Sequence, residues 1–227
     1  MAGGGEVVTD LRVAANLIDR RRVQRFYERY VERHGVSAGW SSMETARAVY
    51  AAASGHPAQR WPEMASVLDV GSGQGHLARF LRIERGFGGR YSGIELLPTF
   101  YEAAVASQGD FPAVDFVCDE FLAHDFAGRI FDWVFSLGSL AVVQEDSEAH
   151  DRAVLEKMVR LARTGITVYL NDRRRMRPER LRQVEDLAAH DIPDFVEHLG
   201  QSCTEIEVVR PFGPRTQHVL VHALIPT

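Results

Sequence analysis

The chain has 227 residues, of which 45% are hydrophobic and 25% are charged, and its formal net charge is −5 at pH 7. This length and composition are typical of one large globular domain, or of one domain with an extension. The acidic balance argues against a nucleic-acid partner, because such partners select a basic surface. No apolar run is long enough to span a bilayer and no secretory leader is recognisable, so we expect a cytoplasmic protein without a membrane partner.

The first sixty residues predict a helical extension. Residues 1–9 are small and Gly-rich and are predicted to be disordered. Apolar residues at three- and four-residue spacings predict a helix over 10–33, and a capping pattern before Met43 predicts a second helix, Met43–Ala53. We expect residues 1–60 to act as a lid or substrate cap on a core formed by residues 61–227.

Strand and helix patterns alternate from Val67 onward. This alternation predicts an α/β fold, a doubly wound, mostly parallel seven-stranded sheet with helices on both faces. The last two strands predict a C-terminal antiparallel hairpin. The predicted strands are 67–70, 91–95, 114–118, 130–136, 165–170, 204–209 and 218–225. After the N-terminal extension, the predicted helices begin near Leu77 and then cover 99–107, 148–163, 178–190 and 193–199.

The most informative stretch of the core is SVLDVGSGQGHLARFL, which starts at Ser66. A buried strand leads into glycines at three alternate positions, Gly71, Gly73 and Gly75, and an amphipathic helix follows. Glycine permits strained dihedral angles and a close approach of ligand to backbone, and the helix start presents unpaired N–H groups. The pattern predicts a nucleoside-binding strand–turn–helix unit.

Two acids indicate which nucleoside cofactor is bound. Glu95 ends the next strand, twenty residues after Gly75, where an acid takes the ribose hydroxyls. Asp69 precedes the loop, where a carboxylate would repel a pyrophosphate but could hold an ammonium group. The third glycine also comes one place too early for a dinucleotide fingerprint, and His76 occupies the expected position. The sequence therefore favours a cofactor with a ribose and an amino-acid end over NAD.

This segment resembles motif I of the class I S-adenosylmethionine-dependent methyltransferases, and the order of elements over 60–227 is similar to their fold. The resemblance implies S-adenosylmethionine as cofactor. It implies that Leu96 packs on the adenine and that an acid after the third strand accepts from the adenine amino group. Alignment favours Glu120 for this role, and Asp119 remains open. The implied cofactor-binding residues are Asp69, Gly71, Ser72, Gly73, Glu95, Leu96, Asp119, Glu120, Phe121, Ser136 and Leu137.

Candidates for acceptor binding come from two regions. Arginines follow the fifth strand, and their planar forks suit carboxylate or phosphate groups, which predicts an anionic acceptor. The candidates are Asn171, Arg173, Arg174 and His190 beyond that strand, and Tyr27 and Trp40 in the N-terminal extension. Asn171 and Asp172 supply only half of a magnesium site, since Mg²⁺ prefers several hard oxygen ligands, so no metal is predicted.

The predicted function is methyl transfer to an oxygen or nitrogen of a small molecule. The segment between the fifth and sixth strands is short and leaves little room for a macromolecule-binding insert. Two alternatives remain open. One is a macromolecular acceptor, RNA or protein, that docks on residues 173–182. The other is a module that binds the cofactor without turnover.

Overall fold

The structure, a computed structural model, describes residues 18–34, 39–108, 111–179 and 186–226. The strands in these residues are β1 (Ser66–Val70), β2 (Arg90–Glu95), β3 (Val114–Cys118), β4 (Phe131–Ser136), β5 (Ala162–Asn171), β6 (Glu205–Val209) and β7 (His218–Leu224). The α-helices in these residues are α1 (Arg20–His34), α2 (Met43–Ala53), α3 (His76–Glu84), α4 (Pro98–Ser107), α5 (Ser147–Leu161) and α6 (Ile192–Gly200).

All seven strands form one sheet in the order β3-β2-β1-β4-β5-β7-β6. The first five strands pair in parallel, whereas β7 lies antiparallel between β5 and β6. The predicted fold class is therefore confirmed, including the antiparallel pair at the C-terminus. Since β1 lies between β2 and β4, the carboxyl ends of these three strands meet at one edge of the sheet, where ligands bind in open α/β sheets.

Apolar side chains alternate between the two faces of the sheet, because successive strand residues point in opposite directions. In β4, Val134 packs in the core beneath α5 and α6, whereas Trp133 and Phe135 pack in the core beneath α2 and α3. Both cores run the length of the sheet and hold its edge in a fixed geometry. The loops at the carboxyl ends are thereby positioned on a rigid support.

Two predicted helix boundaries are wrong. Helix α5 ends at Leu161 and β5 begins at once with Ala162, although the helical pattern continued to residue 163. The helix predicted over 178–190 does not reach its end, because residues 186–190 are not helical. Instead, Leu187 forms an antiparallel bridge with Val142. Residues 180–185 of that predicted helix lie outside the described residues.

At the N-terminus, α1 covers the second half of the helix predicted over 10–33. The predicted disorder of residues 1–9 and the start of that helix lie outside the described residues. No helix in the described ranges is long and apolar enough to cross a membrane.

Candidate active site

A cavity of about 1140 Å³ opens at the carboxyl edge of the sheet. The loops after β1, β3 and β4, the end of β2, helix α1 and the loop between β6 and β7 all contribute to its walls. Pockets for one drug-sized ligand measure roughly 300–1,000 Å³. The cavity is therefore large enough for two small molecules side by side.

The glycine loop after β1 forms the floor of the cavity. Gly71, Gly73 and Gly75 all have left-handed backbone angles, with φ of 72°, 55° and 75°. A Cβ atom on Gly71 would lie 2.8 Å from the side chain of Ser139, and one on Gly75 would lie 2.8 Å from the ring of Phe116. Side chains are thus excluded at these positions by both backbone conformation and space.

Glu95, at the end of β2, is fixed by the loop beside it. One carboxylate oxygen accepts the Gly73 N–H at 2.8 Å and the other accepts the Leu97 N–H at 2.9 Å. The residue is 6% exposed, and burial raises the pKa of its carboxyl while these N–H groups act to lower it. Each oxygen retains a lone pair for a hydroxyl group in the cavity.

Asp69, on β1, is a second buried acid in the cavity wall. Its carboxylate accepts a hydrogen bond from the hydroxyl of Tyr91, and the residue is 3% exposed. Burial raises its pKa to about 7, and the hydrogen bond from Tyr91 partly opposes this shift. Asp69 therefore gains or loses its negative charge near neutral pH, so the binding of a charged group beside it should depend on pH.

The two acids after β3 occupy different environments. Glu120 is 2% exposed, and its oxygens accept the N–H groups of Leu122 and Ala123 at 2.7 and 2.9 Å. The Asp119 side chain is 44% exposed and lies 2.9 Å from Nδ1 of His124, whose hydrogen bond lowers its pKa. Both acids line the cavity. Glu120 closes the turn, whereas Asp119 is the more open of the two.

Lys157 stabilises the turn after β3, a role that the sequence does not predict. Its ammonium group reaches from α5 and donates to the main-chain oxygens of Phe121, Leu122 and His124 at 2.6, 3.1 and 2.6 Å. Burial lowers the pKa of Lys157. A lysine in the middle of a helical pattern gives no sign of such a contact in the sequence.

The remaining predicted cofactor residues divide into two groups. Ser72, Leu96, Phe121 and Leu137 line the cavity. Ser136 does not, because it is fully buried and its hydroxyl lies 2.5 Å from that of Ser139. Ser136 instead supports the loop after β4, whose following residues, Leu137, Gly138 and Ser139, line the cavity.

Helix α1, which we call the lid helix, lies against the end of the cavity that contains Glu95. We call this end the cofactor half, after the cofactor predicted from the sequence. Its residues Val23, Phe26 and Tyr27 pack with Leu97 and Phe100 at the start of α4. Burial, followed by the negative charge of the nearby Glu95, raises the pKa of Tyr27. Tyr27, a predicted acceptor-binding residue, therefore lies beside Glu95, a predicted cofactor residue.

Polar contacts anchor the lid at the far side of the cavity. Asp186 pairs with Arg22 at 3.6 Å and with Arg29 at 3.0 Å. The N–H of Asp19 donates to the side-chain oxygen of Gln144 at 2.8 Å. The lid is thus attached to the loops after β4 and β5.

The rest of the cavity, which we call the acceptor half after the predicted acceptor, is bounded by a series of rings. We call these rings the aromatic wall: Tyr50, Trp40, Tyr169, His218 and Phe212. Trp40 lies 5.7 Å from Tyr50 and 5.4 Å from Tyr169, measured between ring centroids. His218 lies parallel to Tyr169 and meets Phe212 edge-on. All five rings line the cavity. Of these residues, the sequence analysis proposed only Trp40.

The structure places the predicted acceptor arginines outside the cavity. Arg173 donates to the main-chain oxygen of Ala189 at 3.0 Å, and Arg174 pairs with Asp191 at 3.0 Å. Both lie in a 3₁₀ turn, Arg173–Arg175, that Asp172 caps. Asn171 does line the cavity.

Four other arginines line the cavity: Arg33 of helix α1, and Arg175, Arg177 and Arg215 of the loops after β5 and β6. Arg177 belongs to the predicted charged stretch, two residues beyond the turn. Arg215 comes from the loop between β6 and β7, which the sequence analysis did not connect with the site. The turn direction decides which arginine faces inward, and a run of like residues does not reveal it.

His190 also lies outside the cavity. It is 6% exposed, and its Nε2 lies 3.3 Å from Asp151, whose other oxygen is 3.2 Å from Nδ1 of His150. Burial acts to raise the pKa of Asp151, but the hydrogen bond with His150 and the nearby ring of His190 lower it below its usual value. His190 thus joins the chain after β5 to α5, and of the two histidines beside Asp151 it is His150 that lines the cavity.

Within the described ranges, no three or more His, Cys, Asp or Glu side chains are grouped as metal ligands would be.

A family profile described as a methyltransferase domain matches residues 67–165. No curated protein matches the chain.

Several solved structures share the fold. A TehB-like S-adenosylmethionine-dependent methyltransferase from Corynebacterium glutamicum is 18% identical, with a TM-score of 0.57, over 92% of this chain and 100% of that one. The N-methyltransferase NodS from Bradyrhizobium japonicum is 16% identical, with a TM-score of 0.58, over 82% and 95%. The PH0226 protein from Pyrococcus horikoshii is 12% identical, with a TM-score of 0.66, over 84% and 94%.

Proposed function

Because the chain is a class I S-adenosylmethionine-dependent methyltransferase, we propose that it transfers the methyl group to an oxygen or nitrogen of a small molecule. The observation that carries this proposal is one continuous cavity of about 1140 Å³, which joins Glu95 to the aromatic wall. A cofactor at the glycine loop leaves room for a second small molecule against that wall.

Two buried acids would hold the polar ends of the cofactor. Glu95 is fixed by two main-chain N–H groups and would accept the ribose hydroxyls with its remaining lone pairs. Asp69 would hold the ammonium group of the amino-acid end, directly or through water. Gly71 and Gly73 would allow the cofactor to approach the backbone closely.

The adenine would lie between the end of β2 and the turn after β3. Leu96 and Phe121 line the cavity there and offer apolar surface to a planar ring. Glu120 is 2% exposed whereas the side chain of Asp119 is 44% exposed, so Asp119 is the better supported acceptor for the adenine amino group. The loop after β4, with Leu137 and Gly138, would lie beneath the methionine portion.

The cofactor supplies a methyl group on a sulfonium that is already activated for displacement. The new bond forms from the acceptor oxygen or nitrogen to the methyl carbon, while the carbon–sulfur bond breaks and leaves its electron pair on sulfur. The chain's part is to align the acceptor and to exclude water, through helix α1 and the aromatic wall. Tyr50 is not available as a base near neutral pH, since burial raises its pKa.

The contacts of the arginine stretch favour a small acceptor over a macromolecule. Arg173 and Arg174 bind groups of their own chain, Ala189 and Asp191, instead of extending as a docking surface. Incubation with methyl-labelled cofactor and a cell extract tests this point. We expect label in the small-molecule fraction, and label in RNA or protein would instead support a macromolecular acceptor.

Calorimetric titration with S-adenosylmethionine, S-adenosylhomocysteine and NAD tests the cofactor site. We expect binding of the first two compounds only. The variant Glu95→Ala should bind them about 10- to 150-fold more weakly, corresponding to about 1.5–3 kcal/mol for hydrogen bonds to a charged group. The control Glu102→Ala removes an exposed acid from α4 and should bind normally. Equal affinity of both variants would contradict the assignment of Glu95.

A further inference from the structure

The arginines at the carboxyl edge of the sheet differ in how their charges are balanced. Arg210 and Arg175 share the buried carboxylate of Asp172, at 2.5 and 3.4 Å, and Arg174 pairs with Asp191. Arg177 and Arg215, in contrast, make no ion pair with any residue that the structure describes. Both line the cavity, so their charges face the space left for the acceptor.

A contact between two loops brings these free arginines to the same rim. Arg175 donates to the main-chain oxygen of Pro214 and thereby ties the turn after β5 to the loop between β6 and β7. Arg215 is the next residue of that loop, and Arg177 lies two residues beyond Arg175. Glu179 also lines the cavity, so the two free arginines outnumber the one carboxylate on this side.

The aromatic wall ends at the same rim. Phe212 is 40% exposed, although large apolar side chains are normally buried, and it lies in the loop that carries Arg215. Its ring meets His218 at 5.5 Å. An exposed ring beside unpaired arginines offers a flat apolar surface next to positive charge.

Acidic side chains are grouped at the other end of the cavity. Glu95 and Glu120 are buried acids around the predicted cofactor site, and Asp119 is a more exposed one. An anionic acceptor would be repelled from that end and attracted to the rim, so its anionic group would point outward and its ring inward.

We propose that the methyl acceptor is a small aromatic compound with an anionic group, carboxylate or phosphate. Its ring lies on the aromatic wall, and its anionic oxygens pair with Arg177 and Arg215. This proposal rests on the proposed function and adds the chemical class of the acceptor. Paired arginine forks suit both anions, and the test below distinguishes them.

Binding of simple probes to the protein saturated with S-adenosylhomocysteine tests the proposal. The probes are benzoate, phenyl phosphate, the neutral benzyl alcohol and the non-aromatic acetate, each titrated by calorimetry. We expect benzoate or phenyl phosphate to bind at least about tenfold more tightly than benzyl alcohol and acetate, as for loss of one charge-assisted hydrogen bond of about 1.5 kcal/mol. The tighter of the two anions identifies the anionic group.

Two matched double variants compare the free arginines with the arginines that bind groups of their own chain. Arg177→Ala with Arg215→Ala should weaken binding of the anionic probe at least about tenfold, whereas Arg173→Ala with Arg174→Ala should leave it unchanged. Phe212→Ala should weaken the aromatic anions but not acetate. All these variants should keep the affinity for S-adenosylhomocysteine.

Three outcomes would overturn the proposal: no probe binds, benzyl alcohol binds as tightly as benzoate, or the two double variants behave alike. Each of these can occur while S-adenosylhomocysteine still binds, in which case the cofactor assignment stands and only the acceptor class is wrong. Failure of S-adenosylhomocysteine itself to bind would contradict the proposed function instead.

Discussion

The hydroxyl of Tyr27 donates a hydrogen bond to the main-chain oxygen of Gly138 at 3.1 Å, joining the lid helix to the loop after β4. The two residues are 111 positions apart in the chain. This bond attaches the middle of α1 to the wall of the cavity. It adds to the apolar contacts of α1 and to its ion pairs with Asp186.

The variant Tyr27→Phe should therefore loosen the lid while keeping its packing. Loss of one hydrogen bond costs about 0.5–1.5 kcal/mol, so we expect the dissociation constant of S-adenosylhomocysteine to rise about 2- to 12-fold. Calorimetry measures the change. Tyr101→Phe, on α4 and outside the cavity, is the matched control. An unchanged affinity in Tyr27→Phe would mean that the bond does not contribute to cofactor retention.

Cofactor affinity should depend on pH through Asp69. The pKa of Asp69 is raised by burial to about 7, so its carboxyl gains a proton as the pH falls below that value and can no longer attract an ammonium group. Well below this pKa, the dissociation constant of S-adenosylhomocysteine should rise about tenfold per pH unit. In Asp69→Asn the affinity should be low and nearly flat over the same range. A wild-type affinity that does not change would show that Asp69 does not face the ammonium group.

Removal of the Lys157 ammonium group should destabilise the protein. In Lys157→Met, three main-chain oxygens of the turn after β3 lose their donor, and we expect unfolding to require about 2–4 kcal/mol less free energy. Urea denaturation measures this loss. Arg160→Met changes an exposed residue of the same helix and should cost little. Equal effects of the two substitutions would contradict the role assigned to Lys157.

Acid stability should be limited by His222. Its ring is 1% exposed and accepts or donates a hydrogen bond with the Thr167 hydroxyl at 2.9 Å. Burial, and then the charge of His56, lowers its pKa from 6.5 to about 4. Between these values the unfolded chain binds a proton that the folded chain excludes, so stability is present above pH 6.5 and falls as the pH decreases toward about 4.

The change in unfolding free energy with pH that arises from His222 should approach about 1.4 kcal/mol per pH unit. Urea denaturation of the wild type and of His222→Gln at several pH values separates the contribution of His222 from that of other titrating groups. The difference in unfolding free energy between the two proteins should shrink as the pH falls. A constant difference would mean that His222 is not buried as a neutral ring.

The core motif could be predicted from the sequence because its requirements are local. Gly71, Gly73 and Gly75 need left-handed backbone angles within a few residues of a strand, and such needs are written directly in the residue types. The acid Glu95 stands at a fixed distance from them. The mostly parallel sheet likewise follows from alternating strands and helices, and the antiparallel hairpin from two successive strands at the C-terminus.

The acceptor half could not be predicted in the same way because it is assembled from distant segments. Phe212, Arg215 and His218 belong to the C-terminal hairpin, and only the antiparallel insertion of β7 beside β5 brings them to the cavity. The choice of Arg177 over Arg173 depends on a single turn capped by Asp172. Neither relationship has a periodicity or spacing that a sequence pattern could reveal.

The lid helix links the two halves of the cavity in a way that bears on product release. Tyr27 covers the cofactor half, and the chain returns six residues after the end of α1 with Trp40 in the aromatic wall. Movement of α1 would therefore expose bound S-adenosylhomocysteine and displace Trp40 of the aromatic wall at the same time. We expect the methylated product and S-adenosylhomocysteine to leave in the same opening event.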